Sequence, residues 1–352
     1  MDYKIFYIED LQSESRKSDI ENLGFEVMQY DPKRDINVVI DEIRQYNPDI
    51  IIMDYRLNSG SDTVNYDAPT IAATLRNKHC EGFIEIPIIL ISNENKITDF
   101  YKDFLNQDLF DYAIEKQVFT RGKEEFKRKV ISFRKAYDKI KDEKFDICKI
   151  LNISEEDRDL IHSLIYKKLE LKKGFIYENS RFINDNLIYA IGALIGEDVL
   201  AARLGIDKKS KDWPTLLEML NHIKYTGIFS DAHNRWWAEK LEKWWVEHFS
   251  KNNLRRLNAS ERVEKLNEKF QLELIPAKKS ELSKSHKFWS ICKGSYIPLD
   301  PFDGIQIIKK DYKIWQEKEY LSKEYALSNL SVQKDYIDDV DLKYLREKFK
   351  RH

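Results

Sequence analysis

Five side chains in this sequence stand where they could work on one substrate. Glu9 and Asp10 follow the run Lys4-Ile5-Phe6-Tyr7-Ile8, and Asp54 ends the run Ile50-Ile51-Ile52-Met53. Ser92 ends Ile86-Pro87-Ile88-Ile89-Leu90-Ile91, and Lys116 follows the segment from Asp111 to Glu115. Short apolar runs bounded by polar residues are how buried strands of a parallel sheet read. In such sheets, sites form just beyond the carboxyl ends of the strands. Clustered carboxylates bind a hard cation such as Mg2+ through oxygen. The cation offsets their repulsion and neutralises charge on an incoming phosphoryl group. One carboxylate can then act as a nucleophile and form an acyl phosphate, while a hydroxyl and an ammonium hold the phosphoryl oxygens. A single polar residue at a strand end would be read as a cap; five in this order point to phosphoryl chemistry.

The elements that must position these residues alternate over residues 1–120, the pattern of an α/β fold. Residues 13–23 predict the first helix, ended by Gly24, and residues 38–45 the second. Residues 69–78 predict a third, with Pro69 near its first turn. Residues 99–107 fit a short fourth. Residues 123–141 form a charged helix with Phe126, Val130, Phe133 and Tyr137 at helical spacing. The polar stretch Lys141-Asp142-Glu143-Lys144 suggests a boundary, giving domains of 1–143 and 144–352.

With those residues in place, the first 140 or so resemble the receiver domain of two-component response regulators. The resemblance implies a flavodoxin-like fold with a five-stranded parallel sheet. It makes Asp54 the phosphoacceptor and Glu9 and Asp10 the acidic Mg2+ pair, with Asp10 the more direct ligand. It gives the backbone carbonyl of Arg56 as a further metal ligand, Ser92 as the switch hydroxyl and Lys116 as the family's lysine. It also implies a sensor histidine kinase as partner, with another response regulator or an effector downstream, and allows a homodimer. The sequence departs from the family in several places. Asn93 stands where a small residue usually follows the hydroxyl, and Gln117 stands where Pro usually follows the lysine. Ala113 occupies the switch-aromatic position, with Tyr112 one residue earlier. A long polar stretch, residues 58–67, replaces a compact turn. Arg56 and Glu94 stand where the family tunes phosphate lifetime. Together they form either a lid that slows water attack or two solvated charges.

Composition sets outer limits. A chain of 352 residues is a prior for two domains. Its net charge of −2 gives no global bias toward nucleic acid or membrane. No apolar run approaches the ~20 residues that span a bilayer. The expected strand at residue 4 leaves no room for a signal peptide. Cys80, Cys148 and Cys292 are far apart and show neither metal spacing nor a disulfide framework. These features predict a cytoplasmic protein.

Residues 145–352 change to helical periodicity, predicting a mainly α-helical domain. Expected helices cover 154–173, 182–204, 215–223, 231–249, 260–270, 309–327 and 334–352. Trp236, Trp237, Trp244 and Trp245 crowd one of them. Trp237, Leu241, Trp244 and Trp245 share a face, which makes either an aromatic core or a partner surface. Asp231 and His233 have no ligand partner at metal spacing. Residues 199–206 resemble the first helix and turn of a helix-turn-helix, yet Pro214 falls where a recognition helix should run. No enzyme signature emerges. The expectation is a phosphoacceptor whose helical half acts through protein interaction. The alternative is a DNA-binding transcriptional regulator. A receiver joined to a Trp-rich, non-enzymatic helical half also resembles, in architecture, the phosphate-buffer proteins of bacterial defensive two-component operons.

Overall fold

The computed structural model describes residues 3–9, 14–55, 57, 64–79, 83–93, 109–249, 253–308 and 311–349. The expected helix over 99–107 lies outside these residues. Contacts divide the chain into two compact units. One comprises residues 1–152, 167–182 and 227–232; the other comprises 153–166, 183–226 and 233–352.

The first unit is built on five parallel strands in the order β2-β1-β3-β4-β5, the flavodoxin-like order. They are β1 (Lys4–Ile8), β2 (Glu26–Tyr30), β3 (Ile50–Asp54), β4 (Ile88–Ser92) and β5 (Tyr112–Glu115). Between and after them run helices α1 (Glu14–Glu21), α2 (Ile36–Tyr46), α3 (Ala68–Arg76), α4 (Lys116–Arg121) and α5 (Lys123–Asp142). Strands β3 and β4 are buried along their whole length. Their alternate side chains feed two cores: Ile51, Met53, Ile88 and Leu90 on one face, Ile50, Ile52, Ile89 and Ile91 on the other. Burying each such isoleucine contributes roughly 1.5–3 kcal/mol before entropy is counted, which is why these runs must be central strands. Strand β2 is not among the runs that the sequence singles out. It lies at the sheet edge with a mixed burial pattern, so its polar Glu26 and Gln29 interrupt the apolar signal.

Helix α2 starts where the Asp35 carboxylate accepts the Asn37 backbone N–H at 2.9 Å and stops at Asn47 in the left-handed conformation. Helix α5 buries Phe126, Val130, Phe133, Tyr137 and Ile140, as its spacing predicts. Two later segments complete this unit. Phe229 sets its ring edge-on to Phe133 at 5.0 Å, and Asp231 accepts the Ser132 hydroxyl and pairs with Lys135 at 3.1 Å. Asp231 thus has a structural role.

The rest of the chain is helix-rich, as expected, but several predicted helices are broken. Residues 154–173 form a 3-10 turn, Glu155–Leu160, and then the helix Ser163–Leu171. The apolar stretch 182–204 divides into the end of helix Ile176–Ile183, a π-turn at Asn184–Ile188, the strand Leu194–Ile195 and the helix Glu197–Leu204. Of 231–249, only Ala238–Phe249 is helical, because Trp236–Trp237 pairs as a strand with Leu194–Ile195. In 309–327, Tyr320–Leu321 pairs with Ile305–Gln306, and the helix is confined to Lys323–Ser328. Helix Ala259–Phe270 keeps its predicted place, with a capping box from Asn258 and Glu261.

The helix Glu197–Leu204 is a core element. Val199 to Leu204, Arg203 included, are all buried. Gly205 closes it at φ +74°, and a Cβ there would lie 2.6 Å from Ala259 Cα, so only glycine fits. The fully buried Arg262 donates to the carbonyls of Arg203 and Phe288, each at 2.8 Å. Burial pushes its pKa down to about 10. The next helix, Trp213–Met219, begins only eight residues later with Pro214 in its first turn. The four tryptophans are also interior: Trp236, Trp237, Trp244 and Trp245 are all buried. Trp236, Leu241, Trp244 and Trp245 share one core, whereas Trp237, expected on their helical face, lies in the strand and meets Tyr225 edge-on at 5.6 Å; all four tryptophans are interior, not a partner surface.

Candidate functional site

Because all five strands are parallel, their carboxyl ends share one edge. Register places Ile8 beside Met53, Asp54 beside Ile91 and Ser92 beside Glu115. Glu9, Asp54, Ser92 and Lys116 therefore arrive together from four segments far apart in sequence. Lys116 opens helix α4 immediately after β5, and its Nζ donates to Asp54 Oδ2 at 2.7 Å and to Glu9 Oε1 at 2.9 Å. Asp54 Oδ1 accepts the Tyr55 backbone N–H at 2.8 Å. Asp54 and Glu9 are about as buried as core residues, 5% and 6% exposed.

Sequence reasoning missed one member. Arg16, from the first helix, donates to the same Glu9 Oε1 that Lys116 holds, and to the Tyr7 hydroxyl at 3.2 Å. A lone arginine in a polar helix carries no signal of such a role; only the packed fold brings it to Glu9.

Two buried polar atoms at this edge have no hydrogen-bond partner among the described residues: Glu9 Oε2 and Ser92 Oγ, the latter on a residue with no exposed surface. Buried polar groups are normally satisfied, because an unmade bond costs about 1–3 kcal/mol. Unfilled hydrogen-bonding positions on a carboxylate and a hydroxyl, beside a second carboxylate and an ammonium, suit a ligand that brings its own charge. Hard oxygen donors also suit a hard cation. Asp10 and the Arg56 carbonyl, expected as further ligands, lie outside the described residues, as do Arg56 and Glu94 as a lid. Among the described residues no group of three acidic, histidine or cysteine side chains is placed to hold a metal. Glu9 and Asp54 thus offer part of a hard-cation set.

The departures from the family pattern acquire geometry. Asn93 is exposed just past β4. Gln117 lies in the first turn of helix α4. Tyr112 stacks on Phe133 with centroids 6.3 Å apart and packs with the Ile89–Ile91 core, whereas Ala113 belongs to the opposite core with Leu90. Ser92 shares the pleat parity of Leu90, so Tyr112 points away from the face of Ser92 and cannot replace the aromatic that Ala113 lacks.

At the opposite edge of the same sheet another buried carboxylate is fully engaged. Asp111 Oδ2 accepts Arg76 Nη2 at 2.7 Å and the Ile88 N–H at 2.8 Å, and its Oδ1 accepts the Tyr137 hydroxyl at 2.8 Å. Arg76 also donates to the Ile86 carbonyl at 3.0 Å and lies 3.8 Å above the Tyr177 ring. Burial alone would weaken the guanidinium's hold on its proton; Tyr137, Asp111 and Tyr177 outweigh it and raise the pKa.

No family model matches this chain, and no curated protein matches it. Solved structures do. A CheY-like response regulator receiver domain from Methylobacillus flagellatus is 18% identical, over 37% of this chain and 99% of its own, with a TM-score of 0.29. The receiver domain of a sensor histidine kinase from Pseudomonas aeruginosa PAO1, which has a magnesium ion coordinated in its active-site cleft, is 17% identical over 37% and 98%, with a TM-score of 0.29. The N-terminal domain of the nisin resistance regulator, a lantibiotic response regulator, is 24% identical over 38% and 99%, with a TM-score of 0.29. None of these three is described as a phosphate buffer.

Proposed function

We propose that this chain is a response regulator that accepts a phosphoryl group on Asp54 from a histidine kinase. The observation that carries the reading is the Lys116 bridge between Asp54 and Glu9 beside the unsatisfied Glu9 Oε2 and Ser92 Oγ. An Asp54 carboxylate oxygen attacks the phosphorus of a phosphohistidine; the P–N bond breaks, and the imidazole leaves with a proton from solvent. Lys116 moves its hydrogen bond from Asp54 to a phosphoryl oxygen, and the Ser92 hydroxyl gains its first partner there. Glu9 and Asp54, with Asp10 and the Arg56 carbonyl, would hold Mg2+, which supplies charge neutralisation for the incoming phosphoryl group.

The receiver domain in this reading is residues 1–143 and the helical domain residues 144–352, in a cytoplasmic protein. The output is proposed to be protein interaction.

The test is labelling with acetyl phosphate or a candidate kinase in the presence of Mg2+. One base-labile phosphoryl group per chain is expected, absent in Asp54→Ala. No label on the wild-type chain from either donor would sink the proposal. The decay rate discriminates further: persistence for hours without new protein or DNA binding supports a phosphate sink, whereas phosphorylation-dependent capture of a protein supports an output regulator.

A further inference from the structure

We infer that Arg16 is a built-in counter-ion that restrains cation binding at Glu9, an inference that rests on the phosphoacceptor reading. Glu9 is buried, and one carboxylate oxygen, Oε1, receives two cationic donors, Lys116 and Arg16, while Oε2 receives none. The two cations have different reasons to be there. Lys116 also reaches Asp54 and so belongs to the phosphoryl site. Arg16 does not; its second contact is the Tyr7 hydroxyl, at 3.2 Å. The Arg16 guanidinium is thus tethered over Glu9 from the first helix, with its side chain 23% exposed.

That arrangement does two things to Glu9. The bond to Oε1 fixes the carboxylate's rotation and so decides where Oε2 points, making Arg16 a positioning residue. The guanidinium also supplies the positive charge that an acidic pocket otherwise takes from a metal. A divalent ion arriving at Oε2 meets that charge. With water-like screening, the repulsion between a unit charge and a divalent ion held across one side chain is worth roughly tenfold in affinity. A cation at Oε2 therefore loads against Arg16 in addition to Lys116.

Isothermal titration of the full chain with MgCl2 at low ionic strength tests this. Arg16→Gln keeps a donor to Glu9 and removes the charge; Arg16→Lys keeps the charge. The Mg2+ dissociation constant is expected to fall about tenfold in Arg16→Gln and to stay within about twofold of wild type in Arg16→Lys. Equal constants for all three proteins, or weaker binding in Arg16→Gln, would overturn the role of Arg16. If wild type binds Mg2+ and Asp54→Asn weakens that binding while the Arg16 variants change nothing, only this inference fails. If no variant binds Mg2+, the phosphoacceptor reading falls as well.

Discussion

The two edges of one sheet solve the same problem in opposite ways. Each buries a carboxylate against a basic side chain at 2.7 Å: Asp54 with Lys116 at the carboxyl edge, Asp111 with Arg76 at the other. At the Asp111 edge both carboxylate oxygens find donors, and the guanidinium is stacked as well. At the Asp54 edge, Glu9 Oε2 and Ser92 Oγ have no partner among the described residues. Buried ion pairs alone do not mark function, since both edges have them; what differs between these two carboxylate clusters is how fully their own hydrogen-bonding capacity is met among the described residues.

The comparison breaks most visibly at the closed edge. Replacing Arg76 with Met strands the Asp111 carboxylate in the interior, which should cost about 3–5 kcal/mol of stability. Urea midpoints measure it, and Asp54 should still accept label in the folded fraction. A change below about 1 kcal/mol would mean that Asp111 can shed its charge and that the pair is not a rigid one. Tyr137→Phe removes the one donor to Asp111 Oδ1, and a loss of about 1–3 kcal/mol is expected in the same measurement.

Ser92→Ala sharpens the contrast because its sign is reversed. The hydroxyl has no partner among the described residues, so its removal should leave stability unchanged or raise it by up to about 1 kcal/mol, while phosphoryl transfer to Asp54 slows. A clear loss of stability would show that Ser92 Oγ is satisfied in solution and that the edge is not open. The smallest effect concerns a buried carboxylate in the second unit. Burial pushes the Asp303 pKa up, but backbone N–H groups of Ser285 and Lys284, with Lys323, outweigh it and hold it below the ordinary value. A carboxyl depressed on folding adds stability above its unfolded pKa, and that stability is lost as pH falls through the folded value. Asp303→Asn should therefore flatten the acid limb of the stability profile; an unchanged limb would assign acid unfolding to other groups.

The central sheet and the open edge are largely legible because buried strands of isoleucine ending in Asp or Ser leave few other readings. The closed edge is not. Asp111 and Arg76 read as a strand start and a helix end, and nothing local tells that they meet. Arg16 is hidden for the same reason. In the second half, apolar periodicity over 182–204 and 309–327 predicts continuous helix, but short strand pairs and a π-turn bury the same residues. Periodicity reports which side chains go inside, and several backbone paths can put them there.

The dependence of Ser132 and Phe133 on Asp231 and Phe229 also has a meaning in time. A ribosome releases the chain from its N-terminus. All five strands and the bridging lysine are available only once Lys116 has emerged. The outer face of α5 waits for residues 227–232 to be made, with the start of the second unit already synthesised in between. The nascent chain thus carries all five strands before the segment that covers the outer face of α5 has been made.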